Sequence, residues 1–338
     1  MAFWAVRAGS TGEREAFALE SSCVVIGWDS MPDLTRFNAR PELRKAISET
    51  HPDISEAKLS VWTGEMWSFS HEIREGDLVA LPRRHSGTIA FGTIAGAYRF
   101  DPSGPERARH QRPVRWINPD FPRLKLDEDI RFSLGSTLTV FQVRRNAAEE
   151  RMRSALEGKI ASTGSKPTIE SLETEFINIE RQARDRIIAH IGRKFKKHDL
   201  ERLVEAILNA QGFVTDRTAP GADGGVDILA GRGELGFEPP RLAVQIKSSE
   251  NPVEVTSVRE LQGVMRAFGA DMGLFVAWGG FRGSAPRDAR RDFFQLRLWD
   301  AEDVLNQILQ LYEKLPSDIQ AELPLKRVWT LVEEELDE

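Results

Sequence analysis

The sequence predicts two folded parts. Toward the C-terminus it predicts an α/β domain, a mixed central sheet flanked by helices. Before it comes a mostly β domain, a compact barrel of short strands. Three observations carry this. Residues 226–230 and 242–246 are short β-type runs separated by a stretch (231–240) whose glycines and prolines favour a turn. Runs of helical spacing at 200–211 and 253–268 bracket that pair, and the apolar run 273–278 follows as a buried strand. In residues 1–145, short strands alternate with glycine punctuation.

The hairpin is the centre of the chain. Asp227 stands at the start of its first strand, and Gln245 and Lys247 lie on its second. Side chains alternate along a strand, so Gln245 and Lys247 share a face while Ile246 packs behind. A carboxylate, an amide oxygen and an ammonium brought together in this way suit a hard cation and an activated water beside a phosphate.

The surrounding order of elements is specific. A helix ends in Ala210-Gln211-Gly212-Phe213, a strand follows, and then Asp223-Gly224-Gly225-Val226-Asp227-Ile228. Val244-Gln245-Ile246-Lys247, a helix and the strand 273–278 come next. This series resembles the Mrr-like branch of the PD-(D/E)XK nucleases, which have the restriction-endonuclease-like fold. The resemblance covers roughly residues 195–311. It implies hydrolysis of DNA phosphodiesters with Mg²⁺ or Mn²⁺. Asp227, the Gln245 oxygen and the Ile246 carbonyl would be ligands, Lys247 would orient water, and Glu201 would complete the catalytic set. Glu205, one helical turn from Glu201, is the alternative acid. Most of the superfamily has Glu or Asp where this chain has Gln245; the Mrr-like branch tolerates Gln, with one negative charge fewer at the metal. Asp223 is expected to hold the turn, and Gly224 and Gly225 to allow a backbone shape that a Cβ would block.

The rest of the chain is read around this centre. Its 338 residues are 41% hydrophobic and 29% charged, which allows two or three domains. A net charge of −6 gives no general attraction to nucleic acid, so a DNA-binding surface must be local. One cysteine, Cys23, rules out an internal disulfide framework and a Cys-rich zinc site. The N-terminal apolar run is too short for a signal peptide, and no run reaches transmembrane length, so a cytoplasmic protein with no membrane partner is expected. No GxxxxGK[ST] motif occurs.

In residues 1–145, strands are expected at 3–7, 23–28, 78–82, 88–94, 114–117 and 138–144, with a polar Glu-rich segment at 12–20 and a helix at 41–49. Five of the eight tryptophans fall here. They either fill a core or line a cage for an extruded base, for which Trp4, Trp28, Trp67 and Trp116 are the candidates, with Arg7 and Asp33 as polar neighbours. Arg83, Arg84, Arg109, His110, Arg112 and Arg115 are further groups for a pocket or a phosphate. The run at 3–8, Gly27-Trp28 and the GDLVALP stretch (76–82) resemble PUA-superfamily, EVE-type domains, which implies reading of modified bases.

Residues 146–194 are expected to be a helical linker, 195–312 the nuclease domain and 313–338 a helical, acidic tail. Arg193, Lys194, Lys196 and Lys197 form the densest basic run, and Arg282 and Arg287 follow the buried strand; these six are the DNA-backbone candidates. Asp199 is a candidate N-cap. The expected partner is double-stranded DNA with modified bases, met by a homodimer so that both strands are cut. A defence effector or DNA-binding protein whose first domain senses another ligand is the alternative.

Overall fold

The computed structural model describes residues 1–84, 87–158, 179–218, 225–282, 292 and 294–329. It divides into two compact units, meeting in the chain between Gln182 and Ala183.

The first unit is built on a seven-stranded mixed sheet. In chain order its strands are β1 (Phe3–Val6), β2 (Cys23–Ile26), β3 (Leu78–Pro82), β4 (Thr88–Ile94), β5 (Arg99–Phe100), β6 (His110–Pro122) and β7 (Val140–Gln142). They are ordered β2-β6-β4-β3-β1-β7, with β5 also on β6. The expected hairpin of β3 and β4 is present, antiparallel with Leu81 opposite Ala90. The sheet curls into a half-barrel and stops at β2 and β7, so the closed small barrel is corrected. The reason lies in burial. Successive residues of β1 face opposite cores: Trp4 and Val6 join one cluster, Phe3 and Ala5 the other. Helices cover both faces. α1 (Glu15–Glu20) occupies the segment expected to be only polar. α2 (Arg40–Thr50) and α3 (Glu56–Trp67) bring Leu43, Ile47, Leu59, Trp62 and Met66 to the first core. Ser55 caps α3, its hydroxyl accepting from Lys58 N–H at 3.3 Å. α4 (Glu128–Ser133) and α5 (Ala148–Leu156) close the second core with Ile130, Ala148 and Met152.

Asp77 ties the start of this sheet together. Its buried carboxylate accepts from Ala2 N–H at 2.8 Å, Trp4 Nε1–H at 3.1 Å and Arg74 N–H at 2.9 Å.

The second unit holds α6 (Ile179–Lys194, from its residue 183 onward), α7 (His198–Ala210), β8 (Val214–Arg217), β9 (Ile228–Arg232), β10 (Glu238–Lys247), α8 (Val255–Ala267), β11 (Met272–Ala277), β12 (Leu296–Trp299), α9 (Ala301–Leu311) and α10 (Ser317–Glu322). Its sheet runs β12-β11-β10-β9-β8. The β8–β9 and β9–β10 pairs are antiparallel, and β10–β11 and β11–β12 are parallel. α8 is the crossover between β10 and β11, and it buries Val258, Leu261 and Met265 against Ala243 and Phe275. Phe268, which the helical spacing of 253–268 turns inward as an expectation, is exposed because it falls just past the helix end. α7 presents Leu200, Leu203, Val204 and Ile207 to the interior. Its N-cap is Lys197, in a left-handed conformation (φ +52°), with Asp199 already inside the first turn, which corrects the expected cap. Among the described residues of the tail, α10 is the α-helix, preceded by a 3-10 turn at Tyr312–Lys314. Arg202 on α7 holds it through Asp318 and Glu322, each at 2.9 Å. No helix among the described residues is long and apolar enough to cross a membrane.

Asp300 caps α9. It accepts from Glu302 N–H at 2.8 Å and Asp303 N–H at 3.1 Å, while the Asp303 carboxylate accepts from Asp300 N–H at 3.0 Å. Burial, together with the Asp303 and Glu302 charges, pushes the Asp300 carboxyl up to about 7.

Two stability predictions follow from these contacts. Asp77→Ala leaves the Trp4 indole N–H and two backbone N–H groups without their charged acceptor, and urea unfolding is expected to show a loss of about 3 kcal/mol. For Asp300 the folded form holds its proton more tightly than the unfolded form. Its contribution is therefore full below the ordinary carboxylate range and lost as pH rises through about 7. Asp300→Asn keeps the cap and removes the ionisation, so its melting temperature should fall less than wild type's between pH 5 and 8.

Candidate active site

The site lies where the β9–β10 pairing gives out. Asp227 directly precedes β9. Its N–H donates to Val244 C=O at 2.9 Å, and its C=O accepts from Thr218 N–H at 3.0 Å. One step further along β10, the Asp227 carboxylate takes up the next N–H, its Oδ2 accepting from Ile246 N–H at 2.6 Å. The carboxylate is thereby locked beside residues 244–246 of the neighbouring strand. Thr218, which no motif singles out, contributes as well: its hydroxyl donates to Val226 C=O at 2.6 Å and holds the turn into Asp227.

The second strand supplies the other groups. On the β11 side, Lys247 C=O accepts from Trp278 N–H at 2.9 Å. Alternation along a strand then turns the Ile246 backbone toward β9 and Asp227. Gln245 is buried at 8% exposure, and its Oε1 has no hydrogen-bond partner among the described residues. Its amide nitrogen lies beside Gly225: a Cβ built there would stand 4.0 Å from Gln245 Nε2 and 3.6 Å from Val264. Gly225 has φ +87°, a backbone region that disfavours any other residue. Lys247 is exposed at the strand end. Asp223 and Gly224 lie outside the described residues.

The anchored carboxylate and, on the residue before Ile246, a buried amide oxygen without a partner among the described residues are oxygen ligands of the kind a hard cation takes. Among the described residues no group of three or more His, Cys, Asp or Glu side chains converges. Glu201 is three-quarters of a turn along α7 from His198, and its carboxylate meets His198 Nδ1 at 3.0 Å. Glu205 accepts from the Thr215 hydroxyl at 3.2 Å and pairs with Arg217 at 3.5 Å.

The basic candidates fall on exposed positions. Arg193, Lys194, Lys196 and Lys197 surround Phe195, which is 2% exposed and anchors the turn between α6 and α7. Arg282 is exposed and pairs with Glu254 at 3.6 Å. Arg287 lies outside the described residues.

In the first unit, Trp4 and Trp28 are each 5% exposed within the core, and Trp67 and Trp116 pack against it half-buried. Trp67 stacks on His71 at 3.9 Å. Arg7 donates to Thr137 C=O at 2.7 Å, and Asp33 accepts from Thr35 N–H at 3.0 Å. Arg112 is corrected as a phosphate group: it is 3% exposed and donates to the carbonyls of Phe69 and Ser70, with burial pulling its guanidinium down to about 10. His110 is likewise interior. Burial lowers its pKa, and its ring bridges Tyr98 and Trp28.

Residues 192–308 match the family model Mrr_cat, described as restriction endonuclease, and this part of the chain is a restriction-endonuclease catalytic domain. Residues 4–141 match a domain of unknown function, DUF8426. No curated protein matches the chain. Among solved structures, the DNA modification-dependent restriction endonuclease AspBHI is similar at 15% identity, over 73% of this chain and 67% of that one, with a TM-score of 0.34. The MspJI restriction endonuclease in complex with a 27-mer oligonucleotide is similar at 13% identity, over 96% of this chain and 80% of that one, with a TM-score of 0.32.

An unpaired buried amide disfavours the fold, so Gln245→Leu is expected to unfold at the same temperature as wild type or higher. Differential scanning calorimetry reads this, and a marked drop in melting temperature would show that the amide is a structural group.

Proposed function

We propose that this chain is a metal-dependent DNA endonuclease that restricts DNA carrying modified bases. The observation that supports the nuclease reading is the Asp227 carboxylate anchored on Ile246 N–H, with the buried Gln245 Oε1 of the preceding residue left without a partner among the described residues, inside the segment matched by the restriction-endonuclease model. Asp227, Gln245 Oε1 and the Ile246 carbonyl would hold Mg²⁺ or Mn²⁺, which supplies charge neutralisation at the scissile phosphate and a more acidic bound water.

The protein's own groups do the rest. Asp227 is held against β10 by Ile246 N–H, so it meets the substrate already oriented. Lys247 reaches solvent from the strand end, where its ammonium orients the attacking water and offsets charge on the pentavalent transition state. Gly225 keeps the backbone low beside Gln245, leaving room for the DNA strand. Glu201 stands as the further acid of the set. Arg193, Lys194, Lys196, Lys197, Arg282 and Arg287 track the phosphate backbone.

The division of labour we assign gives residues 1–145 to recognition, 146–194 to a helical connection, 195–312 to cleavage and 313–338 to a tail. Each chain offers one Asp–Gln–Lys set, so a double-strand break calls for a homodimer. The GDLVALP stretch and its neighbours support a PUA/EVE-like reader in the first domain.

The test is cleavage of matched duplexes, unmodified or carrying 5-methylcytosine, 5-hydroxymethylcytosine or N6-methyladenine, with and without Mg²⁺. Cleavage confined to Mg²⁺ and to one modified duplex is expected. Asp227→Asn, which keeps an oxygen for Ile246 N–H, and Lys247→Ala should each lower the rate by at least about 100-fold with a melting temperature close to wild type's. Full activity in either variant removes that residue from the catalytic set. Equal cleavage of all four duplexes removes the modified-base reader.

A further inference from the structure

Asp227 sits at a break in strand geometry. In a regular antiparallel strand the N–H and C=O of one residue point to the same neighbouring strand. At Asp227 they part. The N–H donates toward β10, to Val244 C=O at 2.9 Å, and the C=O accepts on the β8 side, from Thr218 N–H at 3.0 Å. Ladder pairing with both neighbours begins only at Ile228. Two positions before Asp227, Gly225 has φ +87°, so the chain arrives from a left-handed turn and not from a strand. The backbone that aims the carboxylate needs another hold.

Thr218 supplies it. It directly follows β8, and the register of β8 on β9, with Arg217 opposite Ile228, sets Thr218 opposite Asp227. β8 is braced on α7, where Glu205 pairs with Arg217 at 3.5 Å. Besides the bond from its N–H, Thr218 donates through its hydroxyl to Val226 C=O at 2.6 Å. The peptide joining Val226 to Asp227 is thereby gripped at both ends, its C=O by the Thr218 hydroxyl and its N–H by Val244 C=O. The peptide after Asp227 is gripped at its C=O by Thr218 N–H. Those two planes set the backbone angles of Asp227, and with them the direction of its side chain.

The grip has no ready substitute. Val226 is 1% exposed, so its carbonyl is shut off from solvent and depends on that hydroxyl. Asp227 Oδ2 is committed to Ile246 N–H at 2.6 Å, so the side chain cannot absorb a backbone rotation without losing that bond. Branching at Cβ leaves threonine few χ1 choices, which keeps the hydroxyl on its carbonyl at little entropic cost. We propose that Thr218 is a positioning residue for cleavage: its hydroxyl fixes the peptide before Asp227 and so holds the carboxylate in the orientation that takes the metal. This rests on the reading of Asp227 as a metal ligand.

The test reads Mn²⁺ binding to the full-length protein without DNA, by electron paramagnetic resonance, beside Mg²⁺-dependent cleavage. Thr218→Val keeps the shape and removes the hydroxyl. It is expected to weaken Mn²⁺ binding about 10-fold and to move half-maximal cleavage to correspondingly higher Mg²⁺. Thr218→Ser, which returns the hydroxyl, should bring both to within about 3-fold of wild type. Thr218→Ala repeats the measurement where the valine variant does not fold. Tyr312→Phe is the stability control. It removes, in the same unit, a hydroxyl bonded to Leu323 C=O at 2.8 Å and Leu325 N–H at 2.9 Å, and should lower the melting temperature with Mn²⁺ binding unchanged. Unweakened Mn²⁺ binding in folded Thr218→Val or Thr218→Ala, or an equal loss in Tyr312→Phe, overturns the positioning role and leaves the nuclease reading standing. Unweakened binding in Asp227→Asn, or none by wild type, overturns the metal role of Asp227 and that of Thr218 with it.

Discussion

The hydrogen bond from Ile246 N–H to the Asp227 carboxylate is the constraint on which the catalytic unit turns. The register of β9 on β10 ends at Ile228 opposite Val244. The carboxylate extends the contact between the two strands to Ile246 N–H. One side chain therefore completes the sheet and delivers a negative charge next to Gln245 and Lys247. The parallel pairing of β10 with β11 continues to Lys247, so the central strand is held on its other side as well.

Satisfied and unsatisfied polar groups divide the molecule into scaffold and site. Asp77, Arg112, His110 and Tyr98 are buried, and each of them finds partners that lock a strand or a turn. Gln245 Oε1, Trp28 Nε1, Asp29 Oδ1 and Arg109 Nε are buried and have none among the described residues. The first group stabilises the fold. The second disfavours it. In the first unit the two groups are directly linked, since the satisfied Tyr98–His110 chain is what holds Trp28 in its left-handed conformation (φ +54°).

The catalytic hairpin, its flanking helices and the buried strand β11 were legible in the sequence, because each rests on local pattern. Period-two runs, glycine and proline in the turn, and apolar residues at helical spacing all act within a few residues. The first unit was less legible. α3 carries Trp62 and Trp67, which suggest an aromatic cage as readily as a helix face, and its Ser55 cap is one small residue in a polar stretch. Strands buried on both sides lack the alternation that would distinguish a half-barrel under helices from a closed barrel. Phe268 continues the helical spacing of α8, but the helix stops one residue earlier and leaves the ring outside.

By itself the sequence determined which residues stand as candidates for the catalytic chemistry and the order of elements that presents them. Asp227, Gln245 and Lys247 lie on one hairpin, where strand periodicity alone brings them near one another. Only the tertiary structure decided what those groups lean on and which polar atoms are left without partners. Trp28, Asp29 and Arg109 come from opposite ends of a long stretch of chain, and the orphaned state of their atoms depends on every neighbour that folding does or does not place beside them. Local pattern holds no record of such long-range satisfaction, because a hydrogen bond between distant residues leaves no periodicity in the sequence.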